Sequence, residues 1–132
     1  MRTFLIRAAS GAAVAVLAAL ALAGPANAAV VHHRAHTTLS IVSYRNVIWA
    51  GHKDWVGGAL RVRRHGVAKE VVLLDRVVRG RLVPVQVELT NKAGWAVFVV
   101  RPKVTARYEL VFEGTRRLAP THSGVVTVKV IR

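Results

Sequence analysis

The 132-residue chain contains no cysteine and only six acidic residues. Without a thiol there is no disulfide scaffold, thiolate zinc site, haem attachment or cysteine nucleophile. The acids, Asp54, Asp75, Glu70, Glu88, Glu109 and Glu113, are scattered singly along the chain. Ser40, Ser43 and Ser123 lie outside any Gly-x-Ser-x-Gly elbow. His122 and Ser123 are neighbours, and on an extended chain neighbours point to opposite faces. His-Glu-x-x-His, phosphate-loop and dinucleotide fingerprints are missing too. Neither catalysis nor a cofactor is expected. Beyond residue 28 no window carries a 3.6-residue apolar stripe, which argues against helices.

The first 28 residues differ in kind from the rest. Arg2 and Arg7 precede an unbroken apolar run from Ala12 to Ala23, closed by Gly24-Pro25 and then Ala26-Asn27-Ala28. A positive start, a short apolar core and small residues at −3 and −1 of a cut after Ala28 describe a secretory signal. The run is too short for hydrocarbon, which takes about 20 residues to span. Pro25 stands where a lipoprotein box needs cysteine. A secreted, extracellular product beginning at Ala29, without a transmembrane anchor, is the expectation.

Residues 29–36 hold the polar segment His32-His33-Arg34-Ala35-His36 and read as a flexible arm. Valine-rich runs then recur every roughly 8–14 residues between turn signals, the rhythm of a sandwich or small barrel. Thr37–Val42 reads as a first strand, and 46–50 with 55–63 as a broken second one, with a bulge at Gly57-Gly58. Arg64–Gly66 reads as a turn, Glu70–Asp75 as a strand buried on both faces and the surroundings of Gly80 as a loop. Strands over 85–90 and 95–100 flank the turn Asn91–Gly94 and are expected to pair as a hairpin. Two more strands follow over 105–113 and 124–131. An all-β domain over 37–132 results.

The order of motifs from Thr37 onward resembles the bacterial Ig-like repeats of exported actinobacterial surface proteins. The matching residues are Thr37-Thr38-Leu39-Ser40, Gly58-Ala59-Leu60 and Asn91-Lys92-Ala93-Gly94-Trp95. The stretch from Thr105 to Gly114 then looks like that family's penultimate strand and precedes Leu118-Ala119-Pro120, Ser123 and a valine-rich end. The resemblance implies an immunoglobulin-like antiparallel sandwich of about seven strands at the cell surface. Tyr108 falls two residues before Leu110, where such sandwiches set a buried tyrosine two before their second cysteine.

Charge is the strongest remaining signal. Twenty Lys and Arg against six acids make the chain +14 at neutral pH. Arg61, Arg63, Arg64, Arg76, Arg79 and Arg81 cluster around the middle of the chain. They are the candidate ligands for an anionic envelope polymer or another extracellular polyanion. His32, His33 and His36 are weaker candidates for a metal. Trp49, Trp55 and Trp95 suit either a ligand-binding face or the core. The function expected is a secreted, non-enzymatic binding module for a polyanion or a protein partner. A small-ligand carrier and a secreted enzyme inhibitor are the alternatives.

Overall fold

The computed structural model describes residues 33–132. The expected signal over residues 1–28, the cut before Ala29 and His32 lie outside the described residues. The described chain is all-β, with strands β1 (Thr38–Leu39), β2 (Val42–Ser43), β3 (Val47–Trp49), β4 (Asp54–Val62), β5 (His65–Gly66), β6 (Val71–Val78), β7 (Arg81–Leu89), β8 (Trp95–Val100), β9 (Ala106–Phe112) and β10 (Thr121–Ile131). These ten, more than the seven expected, form two five-stranded sheets. In the first sheet β4 pairs antiparallel with β1 and β2 on one side and with β8 and β5 on the other. The second runs β3-β10-β9-β6-β7, antiparallel except for the parallel pair β3-β10.

Period-two alternation gives each sheet one apolar face, and the two apolar faces share a core. Leu39, Val56, Leu60, Ala96, Phe98 and Val100 come from the first sheet. Ile48, Val72, Leu74, Ala106, Tyr108, Leu110, Phe112 and Val128 come from the second. Tyr108 is buried, as its position in the alternation implies, and burial pushes its hydroxyl pKa above 10.0.

One glycine sets how closely the layers approach. The β4–β8 register runs unbroken through Gly57 and Gly58, so the bulge expected there does not form. A β-carbon at Gly58 would instead fall on the Ser40 carbonyl and 2.7 Å from Leu110 Cδ1. Leu110 of one sheet therefore seats on Gly58 of the other. Gly58→Ala is expected to cost roughly 3 kcal/mol, as overpacking against backbone does. A shift of less than 0.5 kcal/mol in chemical denaturation would mean that the sheets are free to separate there.

The segments over 46–50 and 55–63, expected as one broken strand, lie in different sheets: β3 pairs with β10 and β4 with β1, β2 and β8. β2 ends at Ser43 in the first sheet and β3 starts at Val47 in the second. Buried Asp54 anchors the crossing. Its Oδ2 accepts from Ser43 Oγ at 2.6 Å, and its Oδ1 accepts from the Arg45 amide at 2.8 Å. Ser43 Oγ in turn accepts from the Asn46 amide at 3.1 Å, and Asn46 has φ 67.

Three further expectations are corrected. β7 and β8 do not form a hairpin: β7 pairs with β6 and β8 with β4. The Asn91 turn is present, with Asn91 Oδ1 accepting from the Ala93 and Trp95 amides at 2.9 and 3.0 Å. It joins two sheets, and β7 becomes an edge strand whose Val87 and Leu89 are 57% and 58% exposed. In β6, Val72 and Leu74 are buried but Val71 is exposed, so burial on both faces does not hold along the strand. Finally, Ala35 is not part of a free arm. It bridges to Leu118, and its amide donates to the Arg117 carbonyl at 2.8 Å.

Candidate functional site

The arginines divide between the two ends of the domain. β4 runs from Asp54, opposite Val100, to Ala59, opposite Trp95, and the Leu60 amide donates to the Gly94 carbonyl. β6 runs the other way, starting opposite Leu89 beside this Gly94 end and finishing opposite Arg81. Arg61, Arg63 and Arg64 therefore sit at one end, and Arg76, Arg79 and Arg81 toward the other.

At the first end Arg61, Arg63 and Arg64 line a cleft of about 670 Å³ with Arg34, Ala35, His36, Thr38 and Val62. Four arginines and a histidine face it, and no carboxylate lies along its wall. One side is the β4–β5 hairpin. The other is the segment running beside Leu118, held by Ala35 and by Thr37 Oγ1, which donates to the Ala119 carbonyl at 2.7 Å. The Ala35–Arg117 contact brings Arg116 and Arg117, both exposed, to the same end.

The hairpin turn is itself unusual. Val62 pairs with His65, leaving Arg63 and Arg64 as a two-residue turn with φ 51 and 73. Such a turn needs positive φ at both positions, which favours Asn-Gly. A side chain in the left-handed region costs roughly 1–2 kcal/mol per residue. Two adjacent arginines are thus held in a conformation their own backbones disfavour, both exposed and both lining the cleft.

At the second end the Arg79-Gly80 turn also has positive φ, at 52 and 79, so the expected loop is a tight hairpin turn. Here glycine occupies the second position and relieves half the strain. Arg79 and Arg81 are exposed. Arg76 is partly buried in a small depression of about 170 Å³ with Tyr108, Gln86, Val100 and Arg101.

The histidine segment supplies His36 to the cleft wall and leaves His33 exposed. Among the described residues no group of three His, Asp or Glu side chains is placed to hold a metal. None of the three tryptophans lies in the core. Trp49 is 55% exposed, and Trp55 and Trp95 are partly exposed on the outer face of the first sheet. Arg34, Arg116 and Arg117 escaped sequence reading because they are brought together by bonds between distant segments, Thr37 and Ala119 being 82 positions apart. The Arg116-Arg117 doublet was the available signal. The chain matches no protein-family model, and no curated protein matches it.

Proposed function

We propose that this protein is an exported, non-enzymatic immunoglobulin-like module that holds an extracellular or envelope polyanion in the arginine cleft. The observation that carries the reading is the convergence of Arg34, Arg61, Arg63, Arg64 and His36 on one concavity free of acids. A polyanion entering it releases counterions and meets no like charge. The core between the sheets is filled by packed side chains, which favours a surface module over a carrier with an internal cavity.

The immunoglobulin-like assignment is supported by strand order. β4 lies beside β8 in one sheet, and β7-β6-β9-β10 run in sequence in the other. This is the arrangement of B with E and of C′, C, F and G in such sandwiches. Leu110 seated on Gly58 occupies the place of their inter-sheet disulfide. The exported character rests on residues 1–28. Intact mass of the protein recovered from culture medium should place Ala29 first, and retention of the leader in a membrane fraction would refute it.

Binding to heparin-type resin and to soluble polyphosphate at low ionic strength tests the function. Arg63→Glu with Arg64→Glu should lower affinity at least tenfold more than Arg79→Glu with Arg81→Glu, although both doubles change net charge equally. The first double should also flatten the log–log salt dependence by about 1.5, the share of two contacts. Equal losses would reduce the basicity to a diffuse field, and no retention at low salt would remove the reading.

A further inference from the structure

The arginine cleft opens onto the outer face of the first sheet. Thr38 and Arg61, which line the cleft, are paired with each other on that face. Beside them along β4 come Ala59, Gly57 and Trp55, since alternate residues share a face. Their β8 partners are Trp95, Val97 and Val99. Val42 pairs with Gly57 on the other side, and Tyr44 follows beside Trp55, its amide donating to the Trp55 carbonyl.

The outcome is a shallow strip floored by small residues. Ala59 and Gly57 are buried beneath taller neighbours, while Val42, Val97 and Val99 stand 48%, 50% and 41% exposed. Trp95 marks the end next to the cleft and Trp55 the far end. Four residues separate their positions along β4, about 13 Å at the rise of an extended strand. Trp55 is held by an edge-on contact with Tyr44, ring centroids 5.7 Å apart, and Lys53 Nζ lies over its ring, 5.0 Å from the centroid.

We infer that this strip and the cleft form one binding surface for an acidic oligosaccharide, with sugar rings along Trp95 and Trp55 and a carboxylate or sulfate among Arg34, Arg61, Arg63 and Arg64. The inference rests on the polyanion reading above and names its ligand class. A pyranose presents a flat row of C–H bonds that packs on an indole face, and its hydroxyl groups stay in water at the edges of an open strip. The charge distribution separates this ligand from single-stranded nucleic acid. Nucleic acid carries a phosphate at every nucleotide and needs cations along its whole track. Between Arg61 and Lys53 the strip presents Ala59, Gly57, Val42, Val97, Val99 and aromatic side chains, with the neutral Ser40 beside Ala59 and Gln86 at the Val99 edge, so phosphates laid over it would lack cationic partners. A glycan whose charges are spaced apart, or gathered at one end, has no such conflict.

The test uses the full chain carrying Trp49→Phe, which removes the exposed tryptophan outside the strip. The probes are a sulfated uronate-containing oligosaccharide, its neutral counterpart, polyphosphate and single-stranded DNA, the last two matched in charge to the first. The acidic oligosaccharide should shield tryptophan fluorescence from acrylamide, and polyphosphate should not. Trp95→Ala should lower affinity for the acidic oligosaccharide about tenfold, in line with the loss of one stacked ring, and change polyphosphate affinity less than twofold. The cooperative unfolding transition of that variant, followed by circular dichroism, reports whether it is folded, and the quenching arm needs no variant in the strip. The inference is overturned if tryptophan is not shielded, if Trp95→Ala weakens both polyanions equally, or if DNA binds more tightly than the glycan through the same tryptophans. In each of those cases binding that still depends on Arg63 and Arg64 leaves the polyanion function standing. Failure of every anionic probe removes both.

Discussion

Exchanging Arg63-Arg64 for Asn-Gly is expected to make the domain more stable and less able to bind. The two-residue turn between β4 and β5 holds both arginines at positive φ, where Asn-Gly is the preferred pair. Relief of that strain is worth roughly 1–2 kcal/mol, somewhat offset by the greater chain freedom of glycine when unfolded. A rise of that size in unfolding free energy should accompany at least a tenfold loss of polyphosphate affinity, since two of the cations at the cleft mouth are gone. Opposite movement of stability and binding is the signature of a strained functional turn. A variant that gained stability and kept its affinity would show that the arginines are there for solvation alone. The equivalent exchange at the second end, Arg79→Asn beside Gly80, should give a smaller gain in stability and little change in binding.

Asp54→Ala is expected to have the largest effect on stability of any single substitution outside the apolar core. The carboxylate is fully buried and accepts from Ser43 Oγ and from the Arg45 amide. Its removal leaves these donors without their acceptor in a dry site, a loss of roughly 3 kcal/mol. For a domain of this size that corresponds to a fall of roughly 15 °C in Tm. Asp54→Asn should cost less, because the amide oxygen still accepts from the Arg45 amide while its NH2 group cannot accept from Ser43. Ser43→Ala should cost about 2 kcal/mol, because it removes both the bond to Asp54 and the one from the Asn46 amide. Equal and small losses in all three would mean that the crossing between sheets is held by packing alone. The expected ranking, Asp54→Ala above both Asp54→Asn and Ser43→Ala, is read directly from denaturation midpoints.

The strands over 105–113 and 124–131 were legible because polar and apolar residues alternate along most of their length, and that over 95–100 because an unbroken apolar run stands between Gly94 and Pro102. Ala106, Leu110 and Phe112 turn inward as their spacing implies, whichever strand lies beside them. Tyr108 could be assigned to the interior for the same reason. Partners were not legible. Val85 to Thr90 alternates as well as any strand here, and the Asn91 turn follows it, yet the chain passes to the other sheet. A turn sequence specifies that the backbone reverses; it does not specify that the two arms keep bonding to one another. The close approach of Gly94 to Leu60 and Gly66 draws β8 to β4, and no local pattern contains that contact.

The amino-acid sequence by itself determined an all-β domain free of disulfides, the inward faces of its later strands and an excess of positive charge. These depend on side-chain period and composition, which are properties of neighbours along the chain. Only the tertiary structure decided how the arginines are grouped. Six residues close in sequence were divided between opposite ends because β4 and β6 run in opposite directions. Arg34, almost thirty positions from Arg63, was brought beside it by the Ala35–Leu118 bridge. Surface charge acts through space, so its pattern follows the path of the strands and not the order of the residues.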